Sequence, residues 1–456
     1  MSGPTTVRRA LTGWGRTSPG VAEVAGIRSP EDVVALLATG VPGRGVLPRG
    51  LGRSYGDAAQ SSGGLVLDMT GCDRVLSIDT EQAVVRVEAG VDLDRLTRVL
   101  LPLGLWLPVV PGTRQVTVGG AIAADVHGKN HHVAGSFGAH VLELDLVTVD
   151  GKTHTLGPDG PDAALFWATV GGMGLTGVVV RATLACLRTE TSYAVVVTER
   201  CRDLDHLLER LEEGDDPALP YSVAWFDAMA RGRRLGRAVL TRGRLATRDD
   251  LPRRLARDPV RLPPSGGGPA FPAVPAGLVT RGTGMAFNEL WYRKAPARPT
   301  TDVQGIGAFF QPLDGVRDWN RAYGPRGFCQ YQCVVPFAEV DAFRRAVSLI
   351  AASGHPACLN VLKRMGPSGR GLLSFPAPGW TLAVDVPVRP VLERLFGRLD
   401  DLVLAAGGRV YLAKDARLPG GHLEEMYPRL GEFRAVRAAV DPDGILVSDL
   451  SRRLLG

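Results

Sequence analysis

The stretch Pro111–Gly138 reads PGTRQVTVGGAIAADVHGKNHHVAGSFG. Glycine and alanine dominate Val118–Ala124 and strip side-chain bulk from one side of the backbone, as a flat planar ligand lying against main chain requires. His127, Lys129, His131 and His132 then fall within six residues. His127 and His131 have the i, i+4 spacing of a helical metal pair. Gly128 breaks that helix, and neither an HExxH pattern nor a spaced carboxylate completes a zinc set. These residues favour the polar lining of a cofactor pocket, with no metal.

Upstream, the short strand Gly45–Pro48 runs into RGLGRSYGD, Arg49–Asp57. Glycines let backbone N–H groups approach an anion, so this turn reads as a pyrophosphate cradle or, equally on residues alone, as a tight turn. The usual dinucleotide fingerprint fails because position 55 is Tyr. Downstream, Gly172, Gly174 and Gly177 spell a literal G-x-G-x-x-G. It follows a helix and opens a strand, the reverse of the order a nicotinamide site needs, which leaves close backbone approach to some other cofactor.

Around these motifs the periodicity predicts alternating elements. Ser29 caps and Pro30 opens a helix to Ala38; strands follow at Leu65–Met69 and Ala83–Glu88, then a helix over Leu93–Leu101. Strands at Val141–Val149 and Thr153–Leu156, a helix at Asp162–Thr169 and a strand at Thr176–Leu184 complete this half. Beyond it, strands Tyr193–Thr198 and Tyr221–Phe226 mix with helices Leu204–Leu211 and Val340–Ile350. The class is α+β. The expected organisation is a first domain over residues 1–189, a second over 190–406 with a mobile proline-rich loop at about 252–275, and a segment 407–456 returning to the first.

The 456 residues, 45% hydrophobic and 22% charged, describe a folded chain with ample core. Six scattered cysteines without a CxxC pair exclude a disulfide scaffold and fit a reducing compartment. The net charge of +6 is not gathered into a basic block, so nucleic acid is not an expected partner. No apolar run nears the ~20 residues that span a bilayer. No signal peptide is visible, and the expected location is cytoplasmic or peripheral at the membrane or cell envelope. Only five of the 53 basic residues are lysines: Lys129, Lys152, Lys294, Lys363 and Lys414. A lysine kept in such a background either is a chance survivor of a compositional bias or marks a place where a compact ammonium serves and a planar guanidinium does not.

PRGLGRSYGD, PGTRQVTVGGAIAADVHGKNHH and GGMGLTG together resemble the FAD-binding half of the vanillyl-alcohol-oxidase-like (PCMH-type) flavoproteins. Within them the chain is most similar to the oxidases of decaprenylphosphoryl-ribose, from LTGWGRT through YSVAWFDA, ELWYRK, WNRAYGP and LSFPAPGW to YLAKDAR and SDLSRRL. The resemblance implies a two-domain fold with a substrate domain built on an antiparallel sheet. It also implies noncovalent FAD, because Gly45–Gly64 lacks the histidine that tethers flavin in other members. Arg49, Gly50, Leu51, Gly52, Arg53, Ser54 and Tyr55 map onto the cradle, and Met69, Gly112, Thr113, Val116, Gly119, Gly120, Ala123, Ala124, Val126, His127 and Gly128 onto the flavin lining. Gly174, Gly177, Val179 and Tyr411 complete the cofactor set. Lys129, Trp225, Phe310, Gln330, Gln332, Lys363, Ala383 and Asp385 map onto the substrate side, with Lys414, His127 and Tyr55 as catalytic groups.

The implied reaction is oxidation of the ribose 2′-hydroxyl to a ketone with FAD as hydride acceptor, the first half of an epimerisation toward arabinan for the cell wall. A lipid-linked sugar phosphate, an NADH-dependent keto-reductase and a peripheral membrane contact are the implied partners. Three positions depart from the family pattern: Ala383 stands for a cysteine, Phe310 for a tyrosine and Met173 for a polar residue. A related sugar or alditol oxidase using O2, and a basic membrane- or nucleic-acid-binding protein on a degenerate flavin fold, are the alternatives.

Overall fold

A computed structural model describes residues 5–40, 43–213, 217–262, 268–275 and 277–456; residues 263–267 of the segment expected to be mobile lie outside the described residues. On either side of them the chain is anchored. The Ser192 hydroxyl donates to the Arg261 carbonyl at 2.7 Å, and the Phe271 amide to that of Arg317 at 2.7 Å.

Two sheets carry the first part of the chain. The strand order Thr6–Leu11, Gly20–Gly26, Leu65–Asp68, Val46–Arg49 makes a four-stranded sheet whose first pair is antiparallel and the rest parallel. Parallel pairing demands a crossover, which the helix Pro30–Ala38 provides. Ser29 sits at its N-cap with Pro30 at its first position, the Asp32 carboxylate accepts the Ser29 amide at 3.1 Å, and Val33 and Leu37 turn inward. The second sheet is antiparallel, in the order Val75–Asp79, Val84–Glu88, Val178–Ala185, Val141–Val147, Thr153–Leu156. Leu67 and Val33 from the first layer pack with Val147, Val178 and Val180 from the second, giving the shared core on which the glycine turns stand.

The remaining large element is an eight-stranded antiparallel sheet in the order Thr300–Gly305, Tyr193–Cys201, Ala238–Leu245, Tyr221–Phe226, Asn360–Met365, Gly379–Pro387, Phe328–Val335, Arg409–Val410. Side chains alternate across a strand. One face, with Phe226, Leu240, Tyr331, Leu362 and Leu382, is buried in a core shared with the helices Leu204–Glu212, Val340–Ser353 and Leu392–Ala405. The opposite face, with Trp225, Lys363, Ala383, Asp385, Gln330 and Gln332, is the floor of a cavity. The last fifty residues bind the parts together. Arg409–Val410 extends the eight-stranded sheet, Leu446 bridges to Val46, and Arg453 pairs with Asp57 at 2.8 Å. The fold is α+β with an antiparallel substrate-side sheet, as the motifs implied. No helix among the described residues is long and apolar enough to cross a membrane.

Candidate active site

The strand Val46–Arg49 delivers the glycine turn to the cavity wall. Gly52 adopts φ +63°, a left-handed conformation that glycine enters without cost. A Cβ on Gly50 would stand 2.1 Å from Thr117 Oγ1, and one on Gly56 only 1.8 Å from the Asp415 carbonyl oxygen. These positions admit no side chain, which is the form a cradle for a cofactor's pyrophosphate must take. Arg49 braces the turn by donating to the carbonyls of Thr12 (3.0 Å) and Ala59. Arg53 lies 4.1 Å over the Trp14 ring, and its buried Nε has no protein acceptor, leaving a donor for an anion.

The small-residue run is a six-residue helix, Val118–Ala123, where sequence reading saw only a loss of bulk. Thr117 nucleates it, its hydroxyl accepting the Gly120 amide at 3.2 Å. Two carboxylates that the motif reading passed over fix the ends of the long segment. Asp314 accepts from Thr113 Oγ1 at 2.6 Å and the Arg114 amide at 2.7 Å. Asp125, buried and at φ +39°, accepts from Ser136 Oγ (2.7 Å), the Gly138 amide (2.9 Å) and Ser374 Oγ (2.5 Å). The turn at Gly174 docks on this helix through the Met173 amide, 2.9 Å from the Ala123 carbonyl. Met173 holds φ +54°, a conformation that costs a non-glycine residue ~1–2 kcal/mol.

His127 is the centre of the site. Lys363 Nζ is 2.9 Å from its Nδ1 and 3.2 Å from the Gly128 carbonyl, and the Gln332 side-chain amide is 2.9 Å from its Nε2. Phe375 stacks on Tyr411 at 4.6 Å and faces the imidazole at 5.8 Å, while the Tyr411 hydroxyl donates to the Ala124 carbonyl at 2.8 Å. Burial, then the Lys363 ammonium, holds His127 well below the usual imidazole range, so it stays neutral. His131 stands edge-on to it at 6.4 Å and accepts the Gly366 amide at Nδ1 instead, so the two rings serve different partners. No group of three His, Cys, Asp or Glu side chains gathers in metal-binding geometry among the described residues.

Three of the five lysines converge here. Burial pushes Lys129 down to about 7, and Lys363 also to about 7, where Lys129 and Lys414 repel it further. Lys129 Nζ donates to the Phe309 carbonyl at 2.5 Å. Lys414 Nζ lies 3.6 Å from the Tyr55 ring centroid. Burial drives Lys414 down and Asp385 up, each toward about 7, and their mutual attraction opposes both shifts. Gln330 donates to Asp385 Oδ1 at 2.5 Å from the adjacent strand. Lys414 does not pair with its neighbour Asp415, which is buried, pairs with Arg453 at 2.9 Å and accepts the Arg417 and Leu418 amides. Trp225 walls the site, its Nε1 donating to the Cys358 carbonyl at 2.7 Å. Phe310 packs between Trp106 and Tyr221, a setting with no need of a hydroxyl.

Every residue that the resemblance assigned to cofactor, substrate or catalysis lines one continuous cavity of about 2220 Å³, whereas His131 and His132, read from the sequence as lining together with His127 and Lys129, fall outside it. Small-molecule pockets are usually ~300–1,000 Å³, so this one has room for a dinucleotide cofactor and a substrate together. The glycine cradle, the unpartnered Arg53 Nε and the bulk-free helix Val118–Ala123 fit FAD.

Residues 21–157 match the FAD binding domain family, and residues 382–454 the D-arabinono-1,4-lactone oxidase family. The chain is 48% identical to the decaprenylphosphoryl-beta-D-ribose oxidase of Mycolicibacterium smegmatis, over 99% of its own length and 98% of the relative's. It is 27% identical to an alditol oxidase of a Streptomyces species over 98% of its length and 99% of the relative's. It is 25% identical to an L-gulono-1,4-lactone dehydrogenase of Mycobacterium tuberculosis over 93% of each chain. The chain therefore belongs to the decaprenylphosphoryl-β-D-ribose oxidase family of FAD-dependent oxidoreductases, with FAD as its cofactor.

Proposed function

We propose that the chain oxidises the 2′-hydroxyl of a polyprenylphosphoryl-β-D-ribose to the 2′-ketone, the first half of an epimerisation that a separate NADH-dependent keto-reductase completes toward arabinan for the cell wall. The observation that carries this reading is the convergence of the Lys129, Lys363 and Lys414 ammonium groups around a neutral His127, on the floor of a cavity continuous with the glycine cradle. Such a cluster selects a substrate that is both anionic and rich in hydroxyls. FAD, noncovalently bound, supplies the hydride acceptor.

The chain's own groups do the rest. Gln330 and Gln332, two residues apart on one strand, present amides from the same face to the sugar. Lys129 offers the substrate phosphate a cation. Lys363 in its uncharged form, with Nζ 2.9 Å from His127 Nδ1, takes the hydroxyl proton, and the ammonium so formed donates to that ring nitrogen. A base near neutrality suits this transfer, and Lys363 sits at about 7. Lys414, kept cationic by Asp385, offsets the negative charge that reduction creates. Burial holds the Tyr55 phenol well above its usual range, so it stays protonated beneath Lys414.

Anaerobic addition of a short-chain polyprenylphosphoryl ribose to the holoenzyme tests the reading. Bleaching of the flavin spectrum by that substrate, and not by free ribose or alditols, is the expected result. Bleaching by a soluble alditol alone would transfer the chain to the alditol-oxidising branch, with Phe310 and Met173, which depart from the family pattern, as the first positions to test.

A further inference from the structure

The helix Arg281–Lys294, sequence RGTGMAFNELWYRK, is built the wrong way round for a globular protein. Of its fourteen residues ten are exposed, and the two that are buried are Gly284 and Asn288. Its large apolar side chains face out: Met285 is 53% exposed, Phe287 38%, Leu290 70% and Trp291 41%. Four large apolar side chains exposed on one short helix mark something that covers them.

Two neighbouring features say what. On one flank, Thr283, Phe287, Trp291 and Lys294 also line the mouth of the cavity, so the apolar surface runs without a break into the site. On the other flank, Arg202, Arg233, Arg234 and Arg237, with the single acid Asp203, surround a shallow depression of about 530 Å³ that reaches Tyr292. Glu289, the helix's single acid, already pairs with Arg237 at 2.7 Å and Arg293 at 2.6 Å. Segments 200–206, 227–237 and 281–298 together hold ten Arg or Lys against four Asp or Glu, a surplus equal to the +6 of the whole chain. The segments around the exposed helix thus carry a net positive charge. Leu290, Ala286 and Phe287 stand on the outward side of the helix with Arg293 and Lys294 among them, and exposed apolar side chains beside basic ones suit the boundary between acyl chains and lipid headgroups of negative charge.

We propose that the helix Arg281–Lys294 docks in the headgroup layer of an anionic bilayer, flanked by the Arg202/Arg233/Arg234 patch, and that this presents the cavity mouth to the lipid. The purpose of that arrangement rests on the reading of the substrate as lipid-linked; the docking itself does not. Flotation of the holoenzyme with phosphatidylcholine vesicles, with and without phosphatidylglycerol, tests it. Binding is expected only with the anionic lipid and should weaken as salt rises. Leu290→Glu, on the outermost face, should lower the vesicle partition at least tenfold. Arg233→Ala/Arg234→Ala should lower it roughly fivefold for each charge removed. Both variants should keep the flavin spectrum and the turnover of a water-soluble short-tail substrate. Wild-type protein that stays unbound on anionic vesicles at low salt, or variants that float as wild type, would overturn the assignment. So would sedimentation showing a dimer that Leu290→Glu dissociates, which gives the face to a second copy. Failure of the substrate reading shows separately, as an unbleached flavin in the presence of the lipid-linked sugar.

Discussion

Substituting Gly50 by alanine probes the cradle at its tightest point. The new Cβ would meet Thr117 Oγ1 at 2.1 Å, Cγ2 at 3.0 Å and Cβ at 3.1 Å, so Thr117 must rotate or the turn must shift by about an ångström. Thr117 is buried and its hydroxyl caps the helix Val118–Ala123. Displacing it combines an overpacking cost of ~1–3 kcal/mol with a lost N-cap of ~1 kcal/mol. The sum, about 2–4 kcal/mol, corresponds to a roughly 30- to 1000-fold weaker hold on FAD if the strain falls on the bound geometry. Titrating apoprotein with FAD and following flavin fluorescence reads this directly. Thr117→Ala removes Oγ1 and Cγ2, so in that background the additional penalty of Gly50→Ala should shrink by about tenfold or more. Strict additivity of the two substitutions, or a Gly50→Ala protein that binds FAD as wild type, would refute the cradle geometry.

Other consequences are open to simple measurement. Lys414→Ala should keep FAD yet lose most of its substrate-driven flavin reduction; near-normal anaerobic rates would remove Lys414 from the mechanism. Ala383→Cys places a thiol on the cavity floor opposite Gln332, and peptide mapping after treatment with a thiol-directed reagent should show alkylation at position 383 in addition to any at Cys358, the free thiol that already lines the wild-type cavity. Acid precipitation should release all the flavin into the supernatant, because the cradle offers no histidine for a tether. For stability, Lys129 and Lys363 sit at about 7 when folded against a usual 10.5, so between pH 7 and 10 the unfolded chain binds more protons and apoprotein stability rises with pH. Asp385, raised to about 7 from 3.8, binds more protons when folded, so between pH 4 and 7 its contribution falls as pH rises. The thermal midpoint of apoprotein should therefore dip near neutrality, and Lys129→Met should flatten the alkaline limb.

What could be read in the sequence was whatever leaves a local mark. Gly50 and Gly52 were visible because a cradle that excludes Cβ atoms can be made of little else, and Gln330 and Gln332 because their spacing of two on a strand puts them on one face. The helix at Pro30 was legible from its cap. The strands Thr6–Leu11 and Val75–Asp79 were not, since the first is exposed almost throughout and the second lies at a sheet edge without clean alternation. The gathering of Lys129, Lys363 and Lys414 depends on sheet order, which no local pattern encodes; only their scarcity drew attention to them. Asp125 lay inside the most informative stretch and was passed over, because a carboxylate that pins a loop looks like any surface aspartate until Ser136 and Ser374 are brought to it. Phe375 stood only within the resembling segment LSFPAPGW and was given no role, because its contacts with Tyr411 and His127 join residues distant in the chain.

The cavity floor also bears on how this architecture diversifies. Trp225, Lys363, Ala383, Asp385, Gln330 and Gln332 each project from a strand whose intervening residues are locked into the opposite core. Exchanging one such side chain leaves the scaffold's interior untouched, so the floor behaves like interchangeable tiles on a fixed frame. Inserting or deleting a single residue in the same strand would turn every tile beyond it inward and bring core residues to the surface. New substrate preferences on this frame therefore arise by point replacement within the strands, while changes of length are confined to the loops around the rim.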